Sequence, residues 1–290
     1  MKEEIRLTEK QMIVKIEDDF DLGKIADSGQ CFRFNECPKT ADGGNKRYSI
    51  AALDRHLFIT ELGDDSYEFD CSQDEYDGFW KNYFDLDLSY KDIRYRIDKD
   101  RDPYLYGAAQ YGKGIRILKQ DPWEMLISFI ISQRKNIPAI KASIEKLCAL
   151  AGDVIAEDGE MGKIYSFPTP EKLAALSMAE LSGCSLGYRD KYVHQAALDV
   201  AGGAVDLEAY RALDDEGLME NLLKLFGVGV KVANCEILFG YHSLDAFPKD
   251  VWINRVLDTR YPDGFLFDEY APYNGIMQQY LFFYSRNDGV

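Results

Sequence analysis

From about residue 116 to the C-terminus the chain carries one helix-start signal after another, and this grammar restricts its fold more than any other feature. Asp121-Pro-Trp-Glu sets a capping acid before Pro at the first helical position and Glu at the third. Thr169-Pro-Glu and Ser177-Met-Ala-Glu each put a hydroxyl ahead of an apolar-periodic run, and Asp250 precedes Val251-Trp-Ile-Asn-Arg-Val-Leu. Side chains of these types accept from the N–H groups that a first helical turn leaves without partners, so each marks a beginning. The first hundred residues read differently. Short β-rich runs near 12–17, 47–53, 56–62 and 66–71, with Asp42-Gly-Gly as a turn between early ones, predict an antiparallel sheet, and helical spacing takes over from about residue 74. The fold class expected is α+β, with a sheet-containing N-terminal domain, 1–115, and a helical C-terminal domain, 116–290.

Composition removes several alternatives. The chain is 46% hydrophobic and 29% charged with only 9 Pro and 23 Gly, which fits neither a low-complexity nor a collagen-like chain. No run reaches the ~18 apolar residues a spanning helix needs, and Met1-Lys-Glu-Glu-Ile lacks the apolar core of a signal peptide, so a cytoplasmic protein is expected. The cysteines Cys31, Cys37, Cys71, Cys148, Cys184 and Cys235 form no Cys-x-x-Cys pair, and three His make no cluster. A structural zinc or iron–sulfur site is therefore not expected, and the thiols should be free.

Charge at first argues against nucleic acid, because 34 Lys and Arg face 50 Asp and Glu for a net −16, and phosphate binding rests on neutralisation by cations. The distribution is uneven. Residues 61–100 hold 13 acids against 5 bases, half of the net charge, whereas residues 111–150 hold Lys113, Arg116, Lys119, Arg134, Lys135, Lys141 and Lys146 against 3 acids. That basic segment is either a set of solvated helix faces or a binding surface.

The segment richest in chemistry is Leu225-Phe-Gly227-Val-Gly229-Val-Lys231-Val-Ala-Asn-Cys235, between a helix ending near Lys224 and another beginning near Val230. Two glycines one residue apart allow a tight hairpin and bring bare backbone N–H groups to a helix N-terminus, an anion cradle, although the same pattern also suits a plain turn. Lys231 falls in the first turn, at the positive end of the helix dipole, where a cation is disfavoured and the neutral, nucleophilic amine is favoured. Capture of a sugar carbon as a Schiff base needs such an amine, and a carboxylate to stabilise the developing oxocarbenium charge. Asp250 could supply the carboxylate, whether or not it also caps its helix.

Gly227-Val-Gly229-Val-Lys231-Val-Ala followed by Phe247-Pro-Lys-Asp250-Val resembles the helix–hairpin–helix glycosylases with their Gly/Pro-Asp signature. Asp27-Ser-Gly29-Gln30-Cys-Phe32-Arg33-Phe, Arg116-Ile-Leu-Lys-Gln-Asp121-Pro, Ile127-Ser-Phe-Ile-Ile-Ser-Gln-Arg-Lys-Asn136-Ile and Leu186-Gly187-Tyr188-Arg189 follow in the order of 8-oxoguanine DNA glycosylases, over nearly the whole chain. The resemblance implies a TBP-like N-terminal sheet domain, a helix–hairpin–helix catalytic domain, and a lesion pocket at their junction. It also implies a bacterial-type enzyme, working at the nucleoid, that flips 8-oxoguanine from duplex DNA, cuts its glycosidic bond and nicks the strand by β-elimination.

By matching position, Lys231 would be the nucleophile and Asp250 the catalytic carboxylate. Gly29 would offer its carbonyl to the N7–H of the oxidised base, which normal guanine lacks. Gln278 and Phe282, four apart on one helical face, would read the base edge and stack on it, with Cys235 on the opposite wall. Asn136 and Tyr188 would fill or wedge the gap, Arg189 would meet the orphaned cytosine, and Gly227, Gly229, Arg134 and Lys135 would contact the DNA. No redox or organic cofactor is implied, a monovalent or divalent cation on the hairpin backbone is left open, and a monomer is expected. Three departures stand out: Ala139 lies where an Arg would read the opposite cytosine, Arg134 where an Asn is expected, and Trp252 where a His would touch phosphate. A glycosylase for alkylated purines and a noncatalytic damage-binding module are the other readings.

Overall fold

The computed structural model describes residues 6–8, 11–38 and 44–288, so the turn expected at Asp42-Gly-Gly lies outside the described residues. Strands β1 Arg6–Thr8, β2 Gln11–Lys15, β3 Phe34–Glu36, β4 Arg47–Ala52, β5 Arg55–Gly63 and β6 Ser66–Phe69 form one antiparallel sheet in the order β1-β2-β6-β5-β4-β3. Register follows side-chain alternation: Met12 and Val14 stand opposite Phe69 and Tyr67, Ile50 opposite Leu57, and all six are buried. Tyr76, Trp80 and Phe84, from the helical stretch after β6, close this face, with Phe69 edge-on to Tyr76 at 5.3 Å. The helix Leu22–Asp27, capped by Asp21 and not expected from the sequence, leads directly into Ser28-Gly29-Gln30.

The helix starts read from the sequence are all present. Asp121 accepts from the Glu124 N–H, Thr169 from that of Lys172, Ser177 and Glu180 complete a capping box, and Asp250 accepts from the N–H groups of Trp252 and Ile253. One segment departs from the helical expectation. Strands β7 Val154–Asp158 and β8 Gly162–Tyr165 make a hairpin that lies against β5. Its residues are mostly exposed, so it lacks the hydrophobic alternation that betrays a strand, and a lone ribbon gains its stability from the sheet it touches.

The two cores interlock across the division drawn at residue 115. Tyr90, Ile93, Ile97, Leu105, Ala108 and Ala109 pack into the helical core, and Leu118 into that of the sheet. At the seam Arg116, fully buried, donates to the carbonyls of Phe84 (3.0 Å), Asp19 (2.9 Å), Asp85 (2.5 Å) and Leu88 (2.6 Å), and its guanidinium lies 4.3 Å from the Tyr90 ring centroid. Gln30 works like a strand rung: its Nε2 donates to Arg116 O, its Oε1 accepts from Leu118 N, and its own carbonyl accepts from Gln120 Nε2.

These contacts split the basic segment 111–150. Arg116 is buried, Lys119 pairs with Asp85 at 2.8 Å, and Lys141 donates to Phe34 O at 2.9 Å, so these cations hold the fold together and do not form a DNA-facing patch.

Replacing Arg116 by Met takes a donor from four carbonyls, of which Asp85 O keeps the Leu88 N–H, and the cation from the buried Asp18 carboxylate 3.5 Å away, and should cost about 3–5 kcal/mol in urea unfolding. Glu124, buried in the first turn of the Pro122–Ser132 helix, has its carboxyl pushed up by desolvation from 4.5 to about 7. The native state therefore holds this proton more tightly than the unfolded chain, and stability should fall as pH rises from about 4.5 through 7. Glu124→Gln should flatten that decline, gaining on the order of 3 kcal/mol over wild type between pH 5 and pH 8 in urea titrations.

Candidate active site

Helix Asp215–Leu222, a short hairpin and helix Val230–Phe239 form the motif. Gly227 sits at φ +86°, and a Cβ there would overlap the Tyr192 ring; its carbonyl accepts from Gln133 Nε2 at 3.0 Å. Gly229 caps the following helix at φ −109°, and a Cβ there would meet nothing within 4 Å. Only Gly227 of the two glycines is thus demanded by backbone conformation. The other keeps the helix N-terminus open to an approaching backbone.

Lys231 extends its Nζ to within 3.5 Å of Ser132 Oγ and 5.0 Å of the Phe129 ring centroid. Asp250 takes both of its backbone hydrogen bonds, from Trp252 N (3.0 Å) and Ile253 N (2.9 Å), on Oδ1. Among the described residues none falls on Oδ2, so one carboxylate oxygen caps the helix and the other is free for chemistry. Lys231 and Asp250 line one cleft of about 770 Å³ together with Gly29, Asn136, Trp252 and Phe282. A narrower pocket of about 50 Å³ is bounded by Gly29, Lys231, Cys235, Asp250, Gln278 and Phe282. Six residues spread over 250 positions of sequence therefore converge.

Gly29 is forced by its surroundings. Its φ is +78°, and a Cβ would press on Ile137 Cδ1 and Phe282 Cε1 at 3.3 Å each. Gln278 is buried, its Nε2 donating to Pro248 O at 2.9 Å and its Oε1 accepting from Gln279 Nε2 at 3.0 Å, so its amide orientation is set. Burial raises the Cys235 thiol above its ordinary value, with Lys231 opposing, and favours a neutral wall.

The expected DNA-contacting residues divide. Arg134 is exposed at φ +50° beside the cleft, and Tyr188 stands 48% exposed. Lys135 Nζ donates to Ser185 O at 2.7 Å. Asn136 spends its Oδ1 on the N–H of Ala139, capping the Ile137–Ala151 helix. Arg189 is buried under Tyr188 and donates to the carbonyls of Leu186 and Gln133, which makes it a strut between the loop and its neighbour in this arrangement. Sequence reasoning gave no separate role to Phe129, Ser132, Gln133 and Lys249, although they stand within the quoted motifs, and passed over Arg286, which stands in none; the fold brings all five to the cleft. All six cysteines are free, and no group of metal-ligating residues occurs among the described residues. No described helix is long and apolar enough to cross a membrane. A separate crevice of about 330 Å³ has its cations Lys119 and Arg211 already paired, with Asp85 and Glu208.

An amine and a carboxylate presented by two helix starts across a slot, beside a hairpin that can dock a phosphate backbone, define a base-excision DNA glycosylase of the helix–hairpin–helix class. Residues 12–126 match the family model of the 8-oxoguanine DNA glycosylase N-terminal domain, and residues 127–262 that of the HhH-GPD superfamily of base excision DNA repair proteins. The N-glycosylase/DNA lyase of Saccharomyces cerevisiae is 32% identical over 83% of this chain and 68% of its own. Among solved structures, the Clostridium acetobutylicum 8-oxoguanine glycosylase/lyase, in complex with duplex DNA carrying cytosine opposite 8-oxoguanine, superposes with a TM-score of 0.89 at 32% identity over 99% of both chains. The structure of MBOgg1 with a low-affinity DNA ligand gives 0.90 at 35% identity over the full length of both. The chain belongs to the 8-oxoguanine DNA glycosylase family and is a DNA N-glycosylase with AP lyase activity.

The two hairpin glycines should separate under mutation. Gly227→Ala is expected to cost roughly 2–4 kcal/mol in urea unfolding, from left-handed strain and overlap with Tyr192. Gly229→Ala should stay within about 1 kcal/mol and show its effect in DNA affinity instead.

Proposed function

We propose that this enzyme excises 8-oxoguanine flipped from duplex DNA into the pocket beside Lys231, and then cleaves the strand. The observation that carries the substrate is Gly29. At φ +78° and with Ile137 and Phe282 each 3.3 Å from where a Cβ would stand, the position favours glycine, and its bare backbone can come against a base edge. A carbonyl at this wall accepts from the N7–H of oxidised guanine; against ordinary guanine it meets another acceptor and a hydrogen bond is lost. A purine alkylated at N7 likewise brings no donor, which disfavours the alkylation reading. Phe282 supplies the stacking face, Gln278 the amide for the base edge, and Cys235 the opposing wall.

In the chemical step the Lys231 amine attacks C1′ while the C1′–N9 bond breaks and the base departs with its electron pair. Positive charge grows on the sugar, and the free oxygen of Asp250 stabilises it. Ring opening leaves an iminium, loss of a C2′ proton expels the 3′-phosphate, and hydrolysis returns the lysine. This sequence uses no redox or organic cofactor; a cation on the hairpin would have to share Gly227 O with Gln133. Tyr188 is the proposed wedge, with Arg134 and Asn136 on the loop beside it. Arg189 can reach an orphaned cytosine only by leaving the Leu186 and Gln133 carbonyls, and Ala139 offers no substitute, so recognition of the opposite base should be weak. The proposed place of action is the nucleoid, in the cytoplasm.

Borohydride reduction during turnover on an 8-oxoguanine duplex should trap a covalent protein–DNA adduct with the wild-type chain and none with Lys231→Gln. Absence of the wild-type adduct would falsify the Schiff-base assignment. Asp250→Asn should slow base release by at least about a hundredfold while leaving duplex affinity nearly intact. A comparable loss of affinity would reduce Asp250 to a helix cap.

A further inference from the structure

We propose that Arg286 is a positioning residue for reading the damaged base, tying the Gly29 turn and the Phe282 ring into one wall. This inference rests on the reading that Gly29 and Phe282 hold the lesion. Arg286 lies in the last turn of the Asn274–Asp288 helix, four residues after Phe282 and so on the same helical face. Its Nη2 donates to Asp27 O at 2.6 Å, and its guanidinium carbon lies 5.6 Å from the Phe282 ring centroid. Asp27 ends the Leu22–Asp27 helix, and its carbonyl is among the last-turn acceptors that no helical N–H can reach. A guanidinium meets two demands at once there. It caps a helix C-terminus, where a cation is favoured, and it lies against an aromatic ring.

The consequence concerns Gly29, two residues beyond Asp27. On its far side the turn is anchored by Gln30, whose side chain and carbonyl are bonded to the Arg116–Gln120 stretch. On its near side, among the described residues, Arg286 is the only side-chain donor to Asp27 O. Without it the near side keeps only the buried Ser28 hydroxyl, which donates to Ile25 O and accepts from Gln30 Nε2, and the ring that packs directly on Gly29 loses its cationic neighbour. Arg286 also lines the cleft with Asp27, Gly29 and Phe282, so the brace is part of the surface that a flipped nucleotide meets.

Base recognition needs this wall, whereas cleavage at a preformed abasic site has no base to read. The test is single-turnover excision from an 8-oxoguanine duplex measured beside strand cleavage of an abasic duplex, for wild type, Arg286→Met and Arg286→Lys. Arg286→Met should lower the ratio of excision to abasic cleavage about five- to tenfold, the scale of one hydrogen bond's net contribution at a partly exposed site. Arg286→Lys, which keeps a cation and a donor, should recover most of that ratio. An unchanged ratio in Arg286→Met overturns the proposal. So does an equal fall in both activities, whether with a shallower salt dependence of binding, which would mark a phosphate contact, or with a lowered melting temperature, which would mark a structural prop. A wild-type chain that cleaves abasic DNA but ignores 8-oxoguanine would sink the substrate assignment, and that outcome is visible before any variant is compared.

Discussion

The buried guanidinium of Arg116 is the constraint on which the rest of the molecule depends. A permanent cation with no exposed surface is tolerated only if it is hydrogen-bonded and paired, and here backbone carbonyls from the 19, 84–85 and 88 positions accept four bonds while the buried Asp18 carboxylate lies 3.5 Å from Nη1. Those carbonyls belong to segments flanking the sheet, while Arg116 leads the strand-like stretch that feeds the Pro122–Ser132 helix. The two cores are thereby fixed against each other by directional bonds, not by apolar contact alone. Gln30 hangs from the same stretch, so the geometry of the seam is passed to Gly29 with one intervening peptide. A recognition carbonyl on the sheet side can then be held in register with an amine on the helical side.

Catalytic placement on the helical side uses helix starts for two purposes. Asp250 must be present as a cap, since otherwise the N–H groups of Trp252 and Ile253 lose their acceptor, and the cap fixes the carboxylate rotamer. Because one oxygen does the capping, the other is oriented without further support, which is preorganisation supplied by ordinary helix chemistry. Lys231 is placed by the hairpin, and the hairpin by the Gln133 amide on Gly227 O. The loop proposed to face the DNA and the hairpin that presents the proposed nucleophile are therefore linked through the Gln133 side chain.

Features governed by local chemistry were legible in the sequence. The caps at Asp121, Thr169, Ser177 and Asp250 could be read because an N-cap is satisfied within three residues of itself. The strands with buried alternation, β2, β5 and β6, and the continuously buried β4 were legible for a similar reason, whereas β1 and β3 are three residues long and β7–β8 is too exposed to alternate. Long-range partners were not. Nothing in the string Arg116-Ile-Leu says that its cation is buried, and a count of bases along 111–150 cannot separate it from Arg134, which is exposed. The burial of Arg189 was hidden in the same way, because an Arg after an exposed Tyr reads as surface until its bond to the Gln133 carbonyl is seen. The convergence of Gly29, Lys231, Asp250 and Gln278 was available only through the family pattern, since their spacing along the chain encodes no distance.

The separation of buried from exposed cations also resolves how so acidic a chain handles DNA. Around the cleft the charged groups are Arg134, Lys135, Lys231, Lys249 and Arg286 against Asp27 and Asp250, a local excess of cations inside a molecule of net −16. Close pairs dominate at the range of a phosphate contact, whereas charges farther off than a Debye length of about 8 Å are largely screened at physiological ionic strength. The cleft therefore attracts a duplex at contact distance, while the acidic remainder, concentrated in the 61–100 stretch, repels it elsewhere. That division of charge favours docking on the cleft face and disfavours it elsewhere, and it lowers the general attraction to phosphate that a cationic protein would have. In the proposed reading, the contact at Gly29 then decides which base stays, so a modest general attraction and a demanding pocket are two parts of one physical solution.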